Sequence, residues 1–122
     1  MTPKNPTKGM SLDELESNDQ LLNRTNYLLA IGIDDYDDLP KLYNCVKDVN
    51  DLTSVLSERY LFEKKNIVTI FNQNATRSNI SRALRNFATK ITPADNLLIY
   101  FSGHGTYSNS KKEGYWVTYD AP

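Results

Sequence analysis

The chain has 122 residues, 39% hydrophobic and 24% charged, which is enough apolar content for one modest folded domain and no more. Its 14 basic and 15 acidic residues leave a formal charge of −1, so it carries no electrostatic footprint for a nucleic acid or an anionic membrane surface. No apolar run approaches the ~18 residues of a membrane span; the polar start Met1-Thr2-Pro3-Lys4-Asn5-Pro6 lacks a signal-peptide core, and the single cysteine, Cys45, has no intrachain disulfide partner, so a cytoplasmic setting is expected.

Residues 1 to about 10 are rich in Pro, Lys, Thr and Asn and are expected to be disordered. Ser11-Leu12-Asp13-Glu14 has the form of a capping box and predicts a short helix through about Leu22. Residues 1–24 therefore read as an N-terminal extension of a domain over 25–122. Tyr27-Leu28-Leu29-Ala30-Ile31-Gly32-Ile33 is a nearly continuous apolar run, as in a strand buried on both faces. An acidic loop, Asp34 to Pro40, follows. Leu42, Cys45, Val46, Val49, Leu52, Leu56 and Tyr60 then recur at helical spacing and predict a helix of about four turns. Ile67 to Phe71 reads as a second strand. Ile80, Ala83, Leu84, Phe87 and Ile91 mark a second amphipathic helix, with Thr76 as its N-cap and Pro93 beyond its end.

A third strand, Leu97 to Phe101, runs into Ser102-Gly103-His104-Gly105, which holds the only histidine of the chain. A polar loop from Thr106 to Glu113 leads to a predicted fourth strand, Gly114 to Tyr119. Alternating strands and helices predict an α/β fold with a mainly parallel sheet and helices on both faces. The chain stops at Asp120-Ala121-Pro122 directly after a strand, so the sheet is expected to be incomplete at its C-terminal side. Gly32 stands alone without a G-x-G-x-x-G pattern, which argues against a dinucleotide site.

Open α/β sheets bind ligands just outside the carboxyl ends of their strands, and His104 is delivered there. Flanking glycines admit close backbone approach, and imidazole titrates near neutrality, which suits general acid–base chemistry. A lone histidine in a soluble domain is also commonly a surface or structural residue. Cys45 falls at an apolar helical position, where a free cysteine usually acts as a small hydrophobe. Asp48, near the start of the first helix, suits the positive end of the helix dipole. Asp34, Asp35, Asp37 and Asp38 form a solvated loop, attract a basic substrate or bind calcium; their spacing does not fit an EF-hand.

Taken in order, Leu28–Ile33, Leu42–Val49, Asp95–Gly105, and Gly114–Val117 with Asp120 resemble the large-subunit part of caspase-like cysteine peptidases. The resemblance covers about residues 25–122 and is nearer to metacaspases and bacterial caspase-like proteins than to animal caspases. It implies a caspase-like sheet and a Cys–His dyad in which His104 is the catalytic histidine and the Gly105 N–H helps form the oxyanion hole. It implies that Ser102 borders the substrate's P1 side chain, although a small residue at a strand end needs no such role. It also implies that Asp48 lines an S1 pocket for a basic P1 residue, beside its reading as a helix stabiliser. The family's nucleophile follows a later strand, so it is expected beyond Pro122, in a C-terminal small-subunit segment, and Cys45 is not expected to be it.

The expected function is therefore that of a cysteine endopeptidase portion cutting proteins or peptides after basic residues, inactive without that segment. The alternative is a caspase-fold pseudo-protease acting as an interaction scaffold; an Asp-x-Cys-x-Gly-like pattern after a later strand would separate the two. A flavodoxin-like or response-regulator-like domain would share the acidic loop but leaves Ser-Gly-His-Gly unexplained. No cofactor and no metal site are expected, because the calcium-holding residues of some metacaspases have no clear match here.

Overall fold

A strand with apolar side chains on both faces is stable only where both faces are covered. In the computed structural model, which describes residues 24–121, the first apolar run forms β1 (Asn26–Gly32), the middle strand of a three-stranded parallel sheet. The disordered stretch and short helix expected before residue 24 lie outside the described residues. β2 (Ile67–Phe71) and β3 (Asn96–Ser102) flank β1 in the order β2-β1-β3. Gly32 is opposite Phe71 on one side and Ser102 on the other, so the three strands finish together at one carboxyl edge.

Each face of the sheet carries one helix. α1 (Cys45–Arg59) packs Val49 and Leu56 against Leu28 and Ala30. α2 (Arg77–Lys90) packs Ile80, Ala83 and Phe87 against Leu29, Ile31 and Ile33. The expected α/β architecture, a mainly parallel sheet with helices on both faces, is the one observed. The predicted cap of α2 is also present: the Asn79 N–H donates to the Thr76 hydroxyl at 3.1 Å. α1 begins later than its apolar spacing suggests, because Leu42 is held back in the preceding loop, its N–H donating to the Asp34 carbonyl at 2.9 Å. No helix among the described residues is long and apolar enough to cross a membrane.

The last part of the fold differs from expectation. The segment read as a polar loop contains β4 (Gly105–Ser108), and the fourth strand is the shorter β5 (Glu113–Trp116), paired antiparallel to β4 with Gly105 opposite Trp116. The pair is a separate hairpin and adds nothing to the parallel sheet. A tight turn, with Lys112 at φ 56°, brings the two strands together locally, where joining the parallel sheet would require a longer crossover. Trp116 is 56% exposed, yet its ring stacks on Phe101 with centroids 4.8 Å apart. Val117 is half-buried, and its N–H donates to the His104 carbonyl at 2.9 Å. The rest of β3 presents Leu97, Leu98 and Ile99 at its surface.

Asp95 joins the starts of β1 and β3. Its carboxylate accepts from the Thr25 N–H at 3.0 Å and from the N–H and hydroxyl of Thr92, both at 3.0 Å. These bonds, the Thr92 N–H first, hold its carboxyl below the ordinary aspartate value. A carboxylate that titrates lower when folded than unfolded contributes stability in full above about pH 4 and loses it as pH falls through the folded value. Asp95→Ala should therefore lower the urea midpoint at pH 7, and its difference from wild type should shrink as pH falls below about 4. A difference that is constant with pH would show that the carboxylate charge plays no part.

Candidate active site

Because α1 and α2 lie on opposite faces, the chain leaves β1 toward β2 over one face and returns from β2 to β3 over the other. Ligands of open α/β sheets bind outside the carboxyl ends of the strands, and here the ends of β1 and β3 lie side by side. Gly32 and Ser102 face one another there. Residues 33–44 arrive from one side and Gly103-His104-Gly105 from the other.

The first residues of α1 are fixed by Asp34. Its carboxylate accepts from the Cys45 N–H at 2.8 Å and the Val46 N–H at 3.2 Å, satisfying two amide donors that a helix start otherwise leaves open. Asp34 is held in turn by the Asn72 side-chain oxygen, which accepts from the N–H groups of Asp34 at 2.9 Å and Asp35 at 3.1 Å. Asn72 adopts φ 49°, a left-handed conformation that asparagine tolerates. Gly32 lets the helix end press against β1, since a Cβ there would lie 2.9 Å from the Cys45 carbonyl oxygen.

His104 is gripped from the same loop. Its Nε2 lies 2.8 Å from the Pro40 carbonyl oxygen. A carbonyl only accepts, so Nε2 carries a proton in this bond, and in a neutral ring Nδ1 is the nitrogen without one. The His104 backbone N–H donates to the Tyr36 hydroxyl at 2.8 Å, and that hydroxyl donates to the Val117 carbonyl at 2.8 Å. The Tyr36 ring stands edge-on to the imidazole, with centroids 4.8 Å apart.

Cys45 is the first residue of α1. It is buried, in keeping with the small-hydrophobe reading. Burial pushes its thiol up; the Ser102 hydroxyl acts in the opposite direction, and Asp34 adds to the rise. Cys45, Ser102 and His104 thus share one end of the sheet. Asp48 lies in the first turn of α1 at this end, with its side chain exposed. Gly105 opens β4, and a Cβ there would meet only the Tyr115 carbonyl oxygen, at an ordinary 3.6 Å. Within the described residues, nothing therefore requires a glycine at 105. Gly103 is different: a Cβ would lie 2.5 Å from the Tyr36 hydroxyl.

Half of the acidic loop is occupied internally. Asp34 caps α1, and Asp35 pairs with Lys41 at 3.2 Å in an exposed ion pair. No group of at least three His, Cys, Asp or Glu able to hold a metal ion occurs among the described residues. Sequence reasoning named Asp34 but not its capping role, and missed Tyr36 and the Pro40 carbonyl. A lone aromatic inside an otherwise solvated acidic loop was the available signal for Tyr36; nothing in the pattern marked the cap or the carbonyl.

Comparison with known proteins agrees with this arrangement. A family model described as a caspase domain matches residues 25–122. Metacaspase-4 of Arabidopsis thaliana is 33% identical over 87 residues, 67% of this chain and 21% of that protein. Metacaspase-1B of Aspergillus fumigatus is 31% identical over 83 residues, 63% of this chain and 20% of its own length. Metacaspase-1 of Eremothecium gossypii is 30% identical over 83 residues, 63% of this chain and 18% of its own. The matched region spans about a fifth of these relatives. With a caspase-domain match over residues 25–122 and a parallel sheet presenting His104 at its carboxyl edge, the chain belongs to the caspase domain family.

Proposed function

We propose that this chain supplies the catalytic histidine of a metacaspase-like cysteine endopeptidase that cuts proteins after basic residues. The observation that carries the reading is the bond of His104: Nε2–H is committed to the Pro40 carbonyl, which leaves Nδ1 to exchange a proton beside the carboxyl ends of β1 and β3. In this reading Nδ1 takes the proton of a thiol and returns it to the leaving amine as the acyl-enzyme forms. The Gly105 N–H donates to the oxyanion, and the absence of a side chain at 105 leaves room for the substrate carbonyl. Thiolate, imidazole and backbone N–H are sufficient for this chemistry, so no cofactor is invoked.

The nucleophile is assigned to a C-terminal small-subunit segment beyond residue 122. Support comes from the surroundings of Cys45. A thiolate needs a lowered pKa, and this thiol is pushed up by burial and by Asp34. Asp48 and Ser102, at the same end of the sheet, are assigned to the pocket for the P1 side chain, with the Asp48 carboxylate pairing a guanidinium or ammonium. A cytoplasmic setting suits the free thiol of Cys45.

Replacing His104 with Ala in the full-length protein should lower cleavage by at least about a hundredfold while the circular dichroism spectrum is kept. Retained activity would remove His104 from the mechanism, and an inactive wild type would favour an interaction scaffold. In a panel of fluorogenic peptides, Arg and Lys at P1 should be cut well and Asp poorly, and Asp48→Ala should cost about thirtyfold or more in kcat/KM on the Arg peptide. Fastest cleavage after Asp would contradict the pocket assignment. Finally, the pH–rate profile for iodoacetamide alkylation of Cys45 should lie alkaline of the same profile in urea. A native profile on the acid side would mark Cys45 as an activated thiol.

A further inference from the structure

We infer that Tyr36 is a positioning residue that fixes the direction in which the His104 imidazole presents Nδ1. The inference rests on the reading of His104 as the general base. A phenol hydroxyl has one proton and accepts through its lone pairs, so its two bonds here have fixed roles. It accepts from the His104 N–H and donates to the Val117 carbonyl, each at 2.8 Å. One hydroxyl therefore couples the turn holding His104 to the strand end that leaves the hairpin.

The ring of Tyr36 adds a second constraint. The imidazole lies against it at 4.8 Å between centroids, with planes 62° apart. The last torsion of a histidine side chain is broad and roughly two-fold, so an unsupported imidazole can flip and exchange its nitrogens for ring carbons. A flip would remove Nε2–H from the Pro40 carbonyl and turn Nδ1 away from its present direction. Tyr36 and Pro40 belong to one loop, which thus holds His104 by its backbone, its ring and its Nε2 proton.

Gly103 adapts the chain to this device. A Cβ at 103 would come within 2.5 Å of the Tyr36 hydroxyl and within 3.0 Å of the Phe101 ring, so a side chain there would force that hydroxyl out. Burial, the largest influence on it, raises the Tyr36 phenol above its ordinary value, which keeps the proton it donates to Val117. Gly103 and Tyr36 therefore act as a pair: the glycine vacates the space that the hydroxyl uses to reach the His104 amide.

His104 is the only histidine in this chain, so its imidazole can be observed alone by long-range 1H–15N NMR. The wild-type chain should show mainly the Nε2–H tautomer at a pH where the ring is neutral. Tyr36→Phe keeps the ring and loses the hydroxyl. It should give a mixed or exchange-broadened imidazole spectrum and, in the full-length protein, a kcat lowered about tenfold with KM little changed. Should Tyr36→Phe fail to fold, Gly103→Ala is read instead; it displaces the hydroxyl and should reproduce both effects. An unaltered imidazole spectrum or an unaltered kcat overturns the proposal, even if the thermal midpoint falls. An altered spectrum together with full activity of His104→Ala would instead overturn the general-base reading and leave the hold of Tyr36 on the ring supported.

Discussion

Leu28 and Ala30 are closed off by α1, and Leu29, Ile31 and Ile33 by α2, so β1 can exist only between two helical layers. Fully burying an aliphatic side chain of this size is worth about 1.5–3 kcal/mol, and this short run supplies several. With the helices forced onto opposite faces, the connections after β1 and β2 leave the sheet in opposite senses. The carboxyl ends of β1 and β3 lie side by side beneath the start of α1 as a result. Ser102, His104, Asp34 and Cys45 come together there because their segments are attached to those two strand ends.

Asp34 shows how one side chain can serve structure and set chemistry together. A carboxylate at a helix N-terminus is stabilising by ~0.3–1 kcal/mol through the helix dipole alone, and Asp34 adds hydrogen bonds to two amides. A cysteine at a helix start is ordinarily made more acidic by that dipole. Here burial pushes the Cys45 thiol up, the Ser102 hydroxyl opposes that, and the same carboxylate adds to the rise. Burial and the carboxylate both oppose the effect of the dipole at this position. The acidic loop, which reads as a solvated stretch, contains both this cap and the Tyr36 hydroxyl that holds the histidine turn.

The parts of the fold legible in the sequence are those governed by periodicity. The apolar run of β1, the β-branched strand Ile67 to Phe71 and the helical spacing through Val49, Leu56 and Phe87 each have one stable environment, and the structure provides it. Thr76 was readable as a cap because its partner lies one turn away. Asp34 was not, since it caps a helix starting eleven residues later, and no local pattern encodes that reach. β4 escaped for a related reason: Gly105-Thr106-Tyr107-Ser108 has loop composition, and only pairing with β5 makes it a strand. Of the candidate site, the strand–Ser-Gly-His-Gly junction was visible as a motif. Its supports were not, because a backbone carbonyl such as that of Pro40 has no sequence signature.

The central claim is that His104 is the base of a two-part site whose nucleophile is a cysteine other than Cys45. Treating the full-length protein with a chloromethyl ketone peptide bearing Arg at P1, then mapping the adduct by peptide mass spectrometry, tests it most directly. The account predicts a single labelled cysteine beyond residue 122, with labelling lost in His104→Ala. An adduct on Cys45, or unchanged labelling without His104, would contradict it.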